Sequence, residues 1–109
     1  MSVKSITPEI KAQVEKIVEE FNRKVINNPD IYYIARYKGR FLYLDRFEYD
    51  RSGPICRLKY DGDMNNWEFA IFKFSDEKYD PEEYLFPGAE NVDGTIAGAM
   101  KAGLEAYPA

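Results

Sequence analysis

The chain has no histidine and a single cysteine among its 109 residues. Without histidine the commonest general base and nitrogen metal ligand is missing, which excludes histidine-dependent serine or cysteine triads and the usual zinc ligand sets. One thiol, Cys56, cannot form an intramolecular disulfide and suits a reducing compartment, so a cytoplasmic location is the expectation. Alternating with charged neighbours in a strand, Cys56 reads as a buried core thiol. Long apolar runs are also missing, so no segment is expected to span a membrane, and Met1-Ser2-Val3-Lys4-Ser5 opens the chain without the apolar stretch of a signal peptide. Gly94, Gly98 and Gly103 have neither Walker nor dinucleotide-binding spacing, and no strand leads directly into them. Asp61, Asp63 and Asn65 fall on alternate positions of a calcium loop, but Asn66 stands where that loop needs glycine and Phe72 where it needs glutamate. The carboxylates from Asp76 to Glu83 read as solvated surface. These absences together predict a protein that is not an enzyme and that carries neither cofactor nor metal.

What is present points to one small domain, residues 1–109, with an ordinary balance of 45% hydrophobic and 31% charged residues. Charge is unevenly spread. Residues 31–60 carry seven basic and three acidic groups, whereas residues 61–109 carry three basic and eleven acidic ones, inside a chain of net charge −4. Overall acidity argues against a general polyanion binder but leaves room for a local basic patch.

Thr7-Pro8-Glu9 is a helix start: a hydroxyl cap, proline at the first helical position, and an acid at the positive end of the dipole. Ile10, Val14, Ile17, Val18, Phe21 and Val25 then recur at helical spacing until Asn27-Asn28-Pro29 ends the run. The stretch from Ile31 to Phe74 holds 12 of the 17 aromatic residues and reads as four strands, 31–37, 40–49, 55–60 and 67–74. Tyr84, Leu85 and Phe86 are expected to anchor the following connection, and Asp80-Pro81-Glu82-Glu83 to open a short helical turn. A last helix is predicted from an Asp93 cap to about Tyr107, with Gly94, Gly98, Ala102 and Ala106 as a strip of very small side chains. The predicted class is α+β: a four-stranded antiparallel meander flanked by an N-terminal and a C-terminal helix, α-β-β-β-β-α.

Side-chain chemistry suggests a register. A Lys38-Gly39 turn pairs Ala35 with Leu42, and a Ser52-Gly53 turn sets Glu48 against Arg57. Pairing Tyr60 with Trp67 sets Lys59 against Glu68 and Leu58 against Phe69. One face then gathers Ile34, Phe41, Tyr43, Phe47, Cys56, Leu58, Trp67, Phe69 and Ile71 as the core. A one-residue bulge near residues 50–53 would exchange the third and fourth strands between the two faces.

The opposite face is the expected functional surface, with Tyr33, Tyr37, Arg40, Leu42, Leu44, Arg46, Arg57 and Lys59 as candidate binding residues. Apolar residues in the middle of a face that ought to be solvated call for a cover. The first expectation is a non-enzymatic interaction module that forms a homodimer through this face or through the small-residue helix strip. The alternative is a single-stranded nucleic-acid binder that stacks bases on the tyrosines and holds phosphates with arginine and lysine.

Overall fold

The computed structural model describes residues 5–108, so the signal-peptide expectation made on residues 1–5 lies almost wholly outside them. Helix α1 spans Pro8–Phe21 and begins as its residues dictate: the Thr7 hydroxyl accepts a hydrogen bond from the Ile10 N–H at 3.2 Å, and Pro8 occupies the first turn. The helix widens into one π-helical turn, Asn22–Ile26, and stops at Asn27, whose φ of 51° is left-handed. Five strands follow, β1 Ile31–Lys38, β2 Phe41–Glu48, β3 Arg51–Lys59, β4 Glu68–Lys73 and β5 Lys78–Asp80. A 3₁₀ turn, Ala89–Asn91, leads to helix α2, Ile96–Ala106. The sheet is an antiparallel meander in the order β1-β2-β3-β4-β5. The α+β class and the terminal helices are as expected. The short β5 is additional and replaces the helical turn expected at Asp80-Pro81-Glu82-Glu83, where the Asp80 carboxylate instead accepts from the Glu82 N–H. Among the described residues no helix is long and apolar enough to cross a membrane.

The β3–β4 register is the expected one, with Leu58 opposite Phe69 and Lys59 opposite Glu68. The first hairpin turns at Gly39-Arg40 rather than Lys38-Gly39, so Ala35 lies opposite Leu44 instead of Leu42, a two-residue shift that leaves the faces unchanged. The β2–β3 register differs as well. The turn falls at Tyr49-Asp50, both with positive φ (46° and 73°), rather than at Ser52-Gly53. Strand β3 therefore starts at Arg51, and a bulge at Ile55 lets Leu44 face Cys56 while Asp45 faces Pro54. Because side chains alternate, this shift sets Leu42 and Leu44 beside Leu58 and Cys56 and sends Phe41, Tyr43 and Phe47 to the other side. The expected core assignment of Ile34, Phe41, Tyr43 and Phe47 is thus corrected. Tyr33, Leu42, Leu44, Ile55, Cys56, Leu58, Phe69 and Ile71 form the sheet's contribution to the core, against Val14, Val18 and Phe21 of α1 and Ile96, Ala99 and Met100 of α2.

Helix α2 is capped by Thr95, whose hydroxyl accepts from the Gly98 N–H. Asp93, expected as the cap, sits two residues before it, accepting from the Thr95 hydroxyl at 2.5 Å and its N–H at 3.0 Å. These bonds hold the Asp93 carboxyl below the usual carboxylate range. The small residues of α2 are consumed within the chain. A Cβ on Gly103 would lie 2.5 Å from both Ile55 Cγ2 and Tyr33 Oη, and one on Gly98 would lie 2.3 Å from Asp93 Oδ1. Of the expected strip, Gly98 and Ala102 are buried and a Cβ on Gly94 would lie 2.6 Å from the Asn65 carbonyl oxygen, so it is not a free surface for a second subunit. In the connection ahead of α2, Phe86 stacks on Phe69 at 5.9 Å, but Tyr84 and Leu85 are exposed, Leu85 by 95%, so only one of the three expected anchors is used.

Candidate functional site

Both helices lie on the side of the sheet that carries Leu42 and Leu44. Register then fixes what the other side holds: Tyr32, Ile34, Arg36 and Lys38 from β1, Phe41, Tyr43, Asp45 and Phe47 from β2, Arg57 and Lys59 from β3, Glu68, Ala70 and Phe72 from β4, and Tyr79 from β5. Among the described residues no helix covers this side.

The helix-free face divides into two zones along β2. Near the Tyr49-Asp50 turn, Tyr32 stacks on Phe47 with ring centroids 5.0 Å apart, and Ile34 beside them is 37% exposed. Next to this apolar zone, Arg36 grips Asp45 with two hydrogen bonds of 2.6 and 3.2 Å. Toward the opposite end the rings and cations interleave. The Arg36 guanidinium lies 4.8 Å from the Tyr43 ring, and that of Arg57 lies 4.6 Å from Phe41 and 5.4 Å from Tyr79. Tyr79 reaches over from the last strand to Tyr43 (5.3 Å) and Phe72 (5.1 Å), so the twisted sheet curls around this zone. Burial and the Asp45 charge raise the Tyr79 phenol above its ordinary value despite Arg36 nearby.

The expected binding residues are only partly brought together. Arg57 and Lys59 lie on the helix-free face. Leu42 and Leu44 are fully buried under the helices. Tyr33 is also buried, its hydroxyl donating to the Met100 carbonyl at 2.7 Å, and burial pushes its phenol well up. Arg46 is 3% exposed: its guanidinium binds Glu48 at 2.5 Å and the carbonyls of Gly103 and Tyr107, closing the negative end of α2. Tyr37 lies on the helix side of β1, donating to the Glu15 carboxylate at 2.6 Å with the Lys11 ammonium 5.2 Å from its ring. Arg40, at the first hairpin turn, has a buried Nε without a hydrogen-bond partner among the described residues. Tyr33, Leu42, Leu44 and Arg46 are thus structural, because the Ile55 bulge inverts β1 and β2 relative to β3. The same inversion reveals Tyr32, Arg36, Phe41, Tyr43, Phe47 and Tyr79 as the surface residues that replace them. One signal in the sequence favours this arrangement: Leu42 and Leu44 are wholly aliphatic, whereas tyrosine tolerates a half-wet surface.

A second feature lies at the β1 edge, where a groove of about 520 Å³ separates that strand from the end of α1. There the Asn22 side chain pairs with the Tyr33 backbone, accepting from its N–H at 2.8 Å and donating to its C=O at 3.0 Å. Asn22 thus stands in for a neighbouring strand and blunts the open edge. Cys56 is enclosed in the core and burial raises its thiol, so it offers no reactive nucleophile. Among the described residues no three Cys, Asp or Glu side chains gather as metal ligands. No protein-family model matches the sequence, and no curated protein or solved structure is detectably similar to it.

Proposed function

We propose that the protein is a non-enzymatic interaction module that works through the helix-free sheet face and self-associates as a homodimer. The observation that carries this reading is the placement of both helices on one side of the sheet, which leaves ring stacks and arginines on the other. The dimer is assigned to the apolar zone. Tyr32, Ile34 and Phe47 supply an apolar centre, and Arg36 with Asp45 beside it supply a rim of opposite charges. A two-fold axis through this zone would set each arginine against the partner's aspartate, as a self-complementary interface requires. Light scattering tests it: the expected mass is twice the 12.7 kDa chain, and Ile34→Glu is expected to return it to the single-chain value. A monomer at high concentration would count against self-association.

A second reading, single-stranded nucleic-acid binding, is favoured by the other zone of the same face. Arg57 lies between the Phe41 and Tyr79 rings there and has no ion pair among the described residues.

A further inference from the structure

We propose that the zone around Phe41, Tyr43 and Tyr79 is a platform for a short run of single-stranded nucleic acid, with Lys38, Arg57 and Lys59 holding its phosphates. The inference rests on the second reading above and specifies where and how the strand would lie. β1 and β3 flank β2 and run about 10 Å apart, so Lys38 stands on one side and Arg57 and Lys59 on the other, with the rings of β2 between them. Along β3, Arg57 and Lys59 are two residues apart, a step of about 7 Å that an extended nucleotide chain can follow.

The charges on this zone are available. Among the described residues Lys38, Arg57 and Lys59 form no ion pair, in a chain whose acidic groups outnumber its basic ones. Of the carboxylates on the face, Asp45 is neutralised by Arg36, and Glu68 lies opposite Lys59 without pairing with it. Arg57 is also oriented. Its guanidinium lies 4.6 Å from the Phe41 ring and 5.4 Å from Tyr79 and has no carboxylate partner among the described residues, which leaves its N–H groups available to a phosphate. An acidic peptide would match the charges too, but β2 and β3 are paired on both edges and offer it no backbone bonds. Bases need only flat stacking surfaces, and Phe41 and Tyr43, both partly exposed, offer them as ring–guanidinium pairs with Arg57 and Arg36. Nucleic acid is therefore the better fit.

The test is fluorescence anisotropy with a labelled oligothymidine, long enough to exceed one site, against the wild type and three variants that keep the fold by circular dichroism. Three phosphate contacts predict an affinity that falls about twentyfold between 50 and 200 mM salt. Arg57→Glu combined with Lys59→Glu is expected to abolish binding. Tyr43→Ala should weaken it about tenfold, while Tyr43→Phe, which keeps the ring, restores it. Absence of binding at low salt in the wild type would overturn both the platform and the nucleic-acid reading. Binding that survives the double charge reversal would overturn the platform alone and leave the reading standing. Displacement of the oligonucleotide by polyglutamate at equal charge concentration would overturn the nucleic-acid assignment in favour of an acidic polypeptide.

Discussion

Gly103→Ala offers a stringent check on how α2 is seated. Glycine in a helix interior is unfavourable by about 1 kcal/mol against alanine, so on helix propensity alone the substitution stabilises the protein. Packing predicts the reverse. The new methyl would lie 2.5 Å from Ile55 Cγ2 and 2.5 Å from Tyr33 Oη, both on buried side chains. Forcing a methyl into a close-packed core costs about 1–3 kcal/mol. If Tyr33 gives way, its 2.7 Å bond to the Met100 carbonyl breaks, which adds about 1–3 kcal/mol for a stranded buried hydroxyl. Less the propensity gain, the net is a destabilisation of about 2 kcal/mol, or a urea midpoint lowered by about 1 M. Unfolding can be followed by the fluorescence of Trp67, which is buried in the native state. The same substitution in a Tyr33→Phe background removes one of the two clashing atoms, so it should cost about 1 kcal/mol less there. A stabilised Gly103→Ala, or costs that simply add, would refute the seating of Tyr33 against this glycine.

Asn22→Ala removes both bonds to the Tyr33 backbone; a loss of about 1–2 kcal/mol is expected, together with greater aggregation on heating, measured by turbidity. Arg46→Ala leaves Glu48 and two carbonyls at the end of α2 without their partner, and a loss of about 3 kcal/mol is expected in urea melts. Arg57→Ala, by contrast, should cost no more than about 1 kcal/mol, since it loses ring contacts to Phe41 and Tyr79 but breaks no ion pair among the described residues. The folded-state pKa of Asp93 is depressed, so its contribution is present above the ordinary aspartate value of about 4 and is lost as pH falls through the folded value. Asp93→Asn should accordingly flatten the decline of thermal midpoint below pH 4.

How far the sequence foretold the fold depended on which interactions were local. Thr7, Pro8 and the three- and four-residue spacing of Val14, Val18 and Phe21 define α1 without help from the rest of the chain. The β3–β4 pairing was legible because Lys59–Glu68 and Leu58–Phe69 match in charge and apolarity. The β2–β3 pairing was not. Ser52-Gly53-Pro54 is richer in turn-forming residues than Tyr49-Asp50, yet the chain reverses at the latter and absorbs the extra residue as a bulge at Ile55. Side chains alternate, so that single displacement inverts half of the sheet. It moved Tyr33, Leu42, Leu44 and Arg46 from the expected surface into the interior. Local propensity could not decide between the turns, whereas burying Leu42 and Leu44 beside Leu58 and Cys56 could. The small residues of α2 were legible as a close contact, but not that Tyr33 and Ile55 would fill it, since that depends on tertiary register.

The corrected register changes the character of the candidate surface. Aliphatic residues left it, and rings accompanied by arginines took their place, a composition typical of the energetically dominant residues of interfaces. Asn22 at the β1 edge fits the same picture: the edge that would favour indiscriminate strand pairing is blunted, while the face is left free.

Whether that face binds is tested most directly by multi-angle light scattering of the wild type and Ile34→Glu at matched concentrations. The wild type is expected at twice 12.7 kDa and the variant at 12.7 kDa, the variant keeping the wild-type circular dichroism spectrum. A wild type that stays monomeric at every concentration, or a variant that dimerises as well as the wild type, would contradict the role assigned to the Tyr32–Ile34–Phe47 zone.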